Sequence, residues 1–303
     1  MSILEYDEEN NQLDAKVVCS HPNQIWAIEP SPTDPSLVLT SSKQRDGSNP
    51  VALYRLPSDD ADAVPDDDDR GYGYGKDIKP LEEIAQLSFA DSAVFVNSFA
   101  WHKARNTVLT LDPASLTMWD IRESGIVASA TALATAQDIS NMDVGIYSGG
   151  AVAWDPHHAN LCAMVSDGSL SIIDTRKMTA LSSIHKVHRG VARDVDYNSN
   201  KPQSIITCGD DRKVKLWDLR AMKSPVSTLE GHSHWVWQAK YNPFHDQLIV
   251  SSGSDNLVNL WRVASCSSAP WLGDGLAELE DEEDGDTRGD NDDSEDPPDV
   301  RVS

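Results

Sequence analysis

Two sets of four residues carry side chains that enzymes use for catalysis. Each set holds an imidazole, a hydroxyl, a carboxylate and an indole, and an acid, a histidine and a hydroxyl can together build a nucleophile. Such groups are tolerated in a protein interior only if they satisfy one another, so we interpret both sets as buried hydrogen-bonded chains that hold structural units together. The members are His188, Thr207, Asp211 and Trp217 in one set, and His232, Ser251, Asp255 and Trp261 in the other.

Other catalytic and ligand-binding patterns are missing from the sequence. It holds no GxSxG, HExxH or P-loop motif and no GxGxxG at a strand-to-helix junction. The glycines at 71, 73 and 75 lie beside an acidic run that would repel phosphate. The cysteines form no CxxC pair, which favours buried thiols in a reducing compartment over a disulfide framework or zinc site. We therefore expect a protein that is not an enzyme and that holds no cofactor and no metal. The cysteines are Cys19, Cys162, Cys208 and Cys266.

The two sets belong to a longer internal repeat with a period of 44 residues, and each set spans 29 residues from its His to its Trp. Each repeat also contains a short turn, an apolar strand that ends in small residues, and a closing strand that ends at the Trp. This is the WD40 pattern, in which every unit supplies four strands to one blade of a β-propeller. We count five units in an all-β chain, the earliest opening at His21. Their closing strands end near Tyr54, Trp119, Ile173, Trp217 and Trp261.

The number of units predicts an incomplete ring. Ser2–Asp7 resembles the last strand of an earlier blade, and no further unit follows Arg262. Most WD40 rings have seven blades, and an open arc would expose apolar sheet faces and unpaired edges. We therefore expect about five blades and a fragment of a seven-bladed propeller, with poor behaviour in isolation.

The formal net charge of −24 is concentrated in two segments. Residues 273–303 hold 14 acidic and 2 basic side chains, and residues 58–70 hold 7 and 1, which leaves −6 for the other 259 residues. Both segments have too few large apolar residues to fold, so we expect disorder. The charge argues against nucleic acid and anionic membranes as partners, and no apolar run reaches the ~18 residues of a membrane span. The predicted divisions are 1–57 (blade fragment and first unit), 58–80 (disordered acidic and Gly-rich insertion), 81–265 (blades) and 266–303 (disordered acidic tail).

Some positions of the repeat project toward the narrow face of a propeller. They lie three and five residues after the early His and immediately before the turn Asp. Tryptophan and arginine are frequent anchors of protein interfaces, and several occur at these positions. Alternatively, Trp235 and Trp237 pack within or between blades. The candidate partner-binding residues are Trp26, Arg193, Asp210, Trp235 and Trp237.

Several stretches of the chain are distinctive in sequence, namely Asp7–Asn11, Cys208–Asp211, Val214–Asp218, His232–Trp237 and Tyr241–Asn242. These stretches resemble the EARP- and GARP-complex-interacting protein (TSSC-one-like) family of WD40 proteins. The resemblance covers about residues 2–265 and implies a cytoplasmic seven-bladed propeller. It also implies association with the EARP and GARP tethering complexes at endosomes and the trans-Golgi network, in endosomal recycling and retrograde transport. The opening strands of the first blade and a last blade are missing here, which departs from the family.

A second resemblance suggests a different partner. Ile205–Arg220 is similar to the WDxR box of substrate receptors of the cullin-4 RING ubiquitin ligase, in which Asp218 and Arg220 would contact the adaptor. Asp120 and Arg122 repeat this ending. The alternative is that these pairs make only inter-strand salt bridges.

Overall fold

The computed structural model shows 23 β-strands and no α-helix in the residues that it describes. The chain divides into two compact units, residues 1–154 with 175–179 and residues 155–174 with 180–303. The described residues are 1–57 apart from 8, 9, 11 and 46; 79–133 apart from 88, 90–95, 97, 113, 114, 123 and 124; 150–264; 267–268; and 300–302.

The first unit contains a three-stranded sheet and two antiparallel four-stranded sheets. The three-stranded sheet has the order β1 (Ser2–Asp7), β2 (Gln12–Ser20) and β6 (Lys79–Pro80), with β6 parallel to β2. The first four-stranded sheet consists of β3 (Gln24–Pro30), β4 (Leu37–Lys43), β5 (Val51–Arg55) and β7 (Glu82–Gln86). The second consists of β8 (Ser98–Trp101), β9 (Thr107–Leu111), β10 (Ser115–Arg122) and β11 (Gly125–Leu133), and β12 (Gly150–Trp154) follows.

The later strands complete three more four-stranded sheets. Next to β12 in sheet order come β13 (Leu161–Ser166), β14 (Ser169–Asp174) and β15 (Thr179–Ile184). The fourth sheet is formed by β16 (Ala192–Tyr197), β17 (Ser204–Gly209), β18 (Lys213–Asp218) and β19 (Ser227–Glu230). The fifth is formed by β20 (Val236–Tyr241), β21 (Leu248–Gly253), β22 (Val258–Arg262) and β23 (Val300–Val302).

In all five four-stranded sheets, strand order follows chain order, as in the blades of a propeller. The prediction of an all-β WD40 propeller fold with five blades is confirmed. The five residues predicted to end closing strands all lie in the third strand of a blade.

A polar side chain ends the first strand of every blade in the same way. Its oxygen or nitrogen accepts hydrogen bonds from backbone N–H groups two or three residues further along the chain. These bonds fix the turn into the second strand. Asn198 and Asn242 each accept two such bonds at 2.8 Å, and Asp155 accepts two at 2.8 and 3.2 Å. Ser31 accepts two at 3.3 Å and His102 accepts one at 3.1 Å.

In the second unit, neighbouring blades share one apolar core. Ile206, Val214 and Leu216 of the blade β16–β19 are at most 2% exposed. They belong to one cluster with side chains of the next blade, which include Ile249 and Trp261. The next sheet therefore packs on the face of the blade β16–β19 that carries Ile206, Val214 and Leu216.

Both acidic segments enter a blade between its third and fourth strands, after β5 and after β22. Most of the segment predicted as disordered at 58–80 and most of that at 266–303 lies outside the described residues. The predicted disorder does not hold for 79–80, which form β6, or for 300–302, which form β23. Val300 and Val302 flank Arg301, an alternation with enough β-propensity to pair with the open edge of β22. The remaining domain divisions stay a prediction.

Candidate functional site

The first predicted set is one connected hydrogen-bonded chain inside the blade β16–β19. The imidazole of His188 lies 2.7 Å from the carboxylate of Asp211 through Nδ1 and 2.8 Å from the hydroxyl of Thr207 through Nε2. The indole of Trp217 donates to the same hydroxyl at 2.9 Å. Burial lowers the pKa of His188, although Asp211 favours its charged form. Burial also opposes ionisation of Asp211, but hydrogen bonds from His188 and Lys215 outweigh it and hold the pKa of Asp211 well below its usual range.

The second set repeats this geometry in the blade β20–β23. Nδ1 of His232 lies 3.0 Å from Asp255, and its Nε2 lies 2.8 Å from the hydroxyl of Ser251. Trp261 donates to that hydroxyl at 2.8 Å. Ser251 and Thr207 are at most 1% exposed, so no substrate reaches either hydroxyl. The chemistry available to both sets is hydrogen bonding within a blade.

Partial sets occur in the first unit, and the sequence reasoning missed two of their members. Nε2 of His21 lies 3.1 Å from the hydroxyl of Thr40, and the His21 ring meets the ring of Tyr54 edge to face with centroids 5.0 Å apart. Trp119 donates to the hydroxyl of Thr110 at 2.8 Å. The hydroxyl follows the His by 19 residues in all three blades that have both groups, so this spacing could have identified Thr40.

A second cluster lies at the rim of the second unit and contains four of the predicted partner-binding residues. We define the rim cluster as Arg193, Asp210, Trp235 and Trp237. The guanidinium of Arg193 forms an ion pair with Asp210 and stacks on both indoles, with Cζ 4.8 Å from the Trp235 centroid and 4.1 Å from that of Trp237. The two indoles meet edge to face with centroids 6.2 Å apart.

The rim cluster leaves its aromatic rings accessible and its charged pair enclosed. Trp235 is 41% exposed and Trp237 is 47% exposed, whereas the Arg193 side chain is 10% exposed. The Trp237 indole also donates to the hydroxyl of Ser254. The indoles therefore pack on a neighbouring blade with one surface and expose another, and their contact with a partner stays a prediction.

β-Bulges explain why residues of the first strand reach the rim. The pairing register with the second strand skips one residue in three blades, and that residue is Trp26 in β3, Arg193 in β16 and Trp237 in β20. A bulge places an extra residue on one strand and redirects its side chain. Trp26 is 52% exposed and belongs to the first unit.

The two predicted adaptor-contact pairs differ in geometry. Arg220 donates from Nε and Nη2 to the carboxylate of Asp218 at 2.9 and 2.6 Å, and these bonds lower the pKa of Asp218. The partners lie two residues apart, at the end of β18 and in the turn that follows it, so they do not bridge strands. Arg122 and Asp120 approach only to 3.5 Å. A groove at Arg220 has a mixed lining, with the apolar residues Pro202, Leu216, Trp217 and Val226 and the polar residues Lys201, Ser204 and Asp218.

The described residues show few other groups that could do chemistry. Cys19, Cys162 and Cys208 are buried, and burial raises the pKa of the Cys162 thiol to about 12. No group of three His, Cys, Asp or Glu side chains among the described residues could hold a metal ion. Cys266 lies outside the described residues.

Comparison with known proteins places this chain among relatives. Residues 130–261 match the family described as EIPR1 beta-propeller. The chain is 31% identical over 242 residues to human EARP and GARP complex-interacting protein 1, which covers 78% of this chain and 60% of the relative. The predicted resemblance is confirmed. The chain is therefore similar to the EIPR1 β-propeller family.

Two other relatives give the same coverage. The EARP-interacting protein homolog of Gekko japonicus is 31% identical over 241 residues, and the WD repeat-containing protein DWA2 of Arabidopsis thaliana is 30% identical over 241 residues. Each alignment covers 78% of this chain and 60% of the relative. The chain thus spans about 60% of the length of these curated relatives. Within its described residues, no helix is long and apolar enough to cross a membrane.

Proposed function

We propose that this chain is a non-catalytic interaction platform that helps recruit EARP and GARP tethering complexes. Its place of action would be the cytoplasmic surface of endosomes and the trans-Golgi network, in endosomal recycling and endosome-to-Golgi retrograde transport. The names of the human and gecko relatives, which state an interaction with these complexes, support the choice of partner.

The rim cluster is the observation that carries this proposal. Indole and guanidinium groups contribute most to the affinity of many protein interfaces, in particular when they are already ordered before the partner binds. Here Arg193 holds both indoles in place through stacking and through its ion pair with Asp210. A partner would therefore find two oriented aromatic surfaces and pay little entropy to fix them.

Affinity purification from cells tests the proposal. The tagged full chain should recover EARP and GARP subunits, and the double variant Trp235→Ala/Trp237→Ala should lose them. Phe244→Ala is the matched control, since Phe244 is 82% exposed in the turn after β20 and lies outside the rim cluster. Equal recovery with all three chains would contradict a role of the rim cluster.

A second candidate function is that of a substrate receptor for the cullin-4 ubiquitin ligase. The observation that favours it is the Arg220 side chain, which is 70% exposed yet oriented by two bonds to Asp218 at the edge of a groove. In the same purification, recovery of the ligase adaptor alone, lost with Arg220→Glu and kept with Trp235→Ala/Trp237→Ala, would favour this function over tether recruitment.

A further inference from the structure

Exposed basic side chains border the rim cluster of this otherwise acidic protein. Arg189 and Arg212 are exposed and form no ion pair with any described residue. The backbone fixes both beside the rim cluster: the N–H of Arg189 bonds to Asp211, and Arg212 follows Asp210 by two residues in the turn between β17 and β18. A Cβ added at Gly190 would lie 3.1 Å from the Cβ of Asp210, so the two loops touch.

Three further cations of this blade are already paired inside the protein. Lys215 pairs with Asp211 at 3.0 Å, and Lys213 pairs with Glu230. Arg193 is paired with Asp210. The charge that a partner can use next to Asp210 and Asp211 is therefore that of Arg189 and Arg212, with the exposed Lys186 three residues before Arg189.

Comparison of the two neighbouring blades shows that charge and aromatic surface are separated between them. Arg189 and Arg212 correspond, one period of 44 residues later, to Ser233 and Asn256. The later blade offers instead the indoles of Trp235 and Trp237. The rim of the second unit thus has a cationic half and an aromatic half, joined by the pair of Arg193 and Asp210.

We propose that the rim of the second unit binds an acidic polypeptide segment that also carries an aromatic or large apolar side chain. The acidic groups would meet Arg189 and Arg212, and the apolar side chain would pack on Trp235 and Trp237. This inference rests on the proposed function, because it specifies the chemistry of the partner at the same surface. Single-stranded nucleic acid also combines negative charge with planar rings, but the names of the human and gecko relatives state protein complexes as partners, which favours an acidic polypeptide.

Fluorescence anisotropy with the full chain and labelled 12-residue probes tests the proposal. The first probe is a Glu/Asp peptide with a central Phe; in the second Ala replaces Phe, in the third Gln replaces every acid, and the fourth is oligouridine. We expect the first probe to bind, the second to bind roughly tenfold more weakly, and the third and fourth not to bind. Equal binding of the first three probes, or tighter binding of oligouridine, would overturn the proposal.

Variants taken from the neighbouring blade avoid the risk of misfolding. Arg189→Ser/Arg212→Asn inserts the residues found at the equivalent positions, and we expect an unchanged melting temperature with roughly tenfold weaker binding of the first probe. The salt dependence of binding should also become shallower. The control Lys223→Ala/Arg262→Ala removes two exposed cations elsewhere and should bind like wild type. Equal loss with the control and the rim variant would overturn the proposal.

The two proposals can fail separately. Peptide binding at the rim combined with tether recovery that ignores all rim variants would refute the proposed function and keep this inference. Tether recovery that depends on Trp235 and Trp237, combined with failure of the acidic probe to bind, would refute this inference and keep the proposed function.

Discussion

Leu216 and Leu260 occupy the same position of the repeat in neighbouring blades, but only Leu216 is covered. Leu216 is 2% exposed and packs in the core shared by two blades, whereas Leu260 is 41% exposed on the far face of the blade β20–β23. The neighbouring positions behave in the same way, since Val214 is 0% exposed and Val258 is 72% exposed. Truncation to Ala at these equivalent positions therefore measures how much the packing of a neighbouring sheet contributes to the free energy of unfolding.

The expected magnitudes follow from burial. Leu216→Ala removes a fully packed side chain and leaves a cavity, so the free energy of unfolding should fall by about 2–5 kcal/mol. Leu260→Ala removes apolar surface that water already reaches in part, and its cost should be about 1 kcal/mol or less. Val258→Ala should cost still less, within about 0.5 kcal/mol.

Urea denaturation followed by tryptophan fluorescence gives these free energies for the full chain. The measurement should be made at two protein concentrations, because a second copy that covered the Leu260 face would make stability depend on concentration. Equal losses for Leu216→Ala and Leu260→Ala at low concentration would refute the reasoning, since they would mean that both faces are packed to the same degree.

Three further perturbations probe the blade β16–β19. Thr207→Val leaves the imidazole of His188 without its hydroxyl partner, so thermal denaturation should show a loss of about 1–3 kcal/mol, while Thr207→Ser retains the bond and should lose much less. Acid should destabilise the fold, because the folded-state pKa values of His188 and Asp211 are both lowered. Stability should therefore begin to fall below the unfolded-state pKa of His near 6.5 and fall further below that of Asp near 3.9, as melting temperatures across pH 3–8 would show; a flat profile would contradict this. Gly209→Ala would place a Cβ 2.5 Å from the carbonyl oxygen of Val191; the melting temperature should drop by several degrees, and an unchanged value would contradict the close approach.

Pairing requirements made the buried sets predictable from the sequence. A buried imidazole, hydroxyl, carboxylate and indole must satisfy one another, and the period of 44 residues showed which members belong together. The same logic explains why the first unit was harder to interpret. There Tyr54 replaces the Trp, and its ring contacts His21 through an edge-to-face arrangement rather than through a shared hydroxyl.

The rim cluster could be predicted by position but not by geometry. The spacing after the early His identified Arg193 and Trp237, yet it gave no reason to expect their stacking. That contact depends on a bulge in each of two first strands and on the approach of two separate blades. Each bulge inserts one extra residue into a strand, and the residues at the bulges of this chain share no common residue type. Periodicity alone therefore cannot locate them.

The fourth strand of the last blade escaped prediction because of what precedes it. Residues 263–299 separate β22 from β23 along the chain. The three alternating residues of β23 are too few to be recognised as a strand next to an acidic run. Long-range strand pairing of this kind is decided by the open edge that receives the strand.

The position of the two acidic segments explains how the blades tolerate them. Each is inserted before the fourth strand, so the three inner strands and the residues of the buried sets keep their spacing. Closing a loop of about 37 residues costs only about 2 kcal/mol more than closing one of roughly 4 residues, because loop entropy grows with the logarithm of length.

The blades themselves carry a small share of the net charge of −24, most of which comes from these inserted segments. An exposed basic patch such as Arg189 and Arg212 therefore stands out against the blade surface, and short-range electrostatics at the rim can favour an acidic partner although the chain as a whole is acidic.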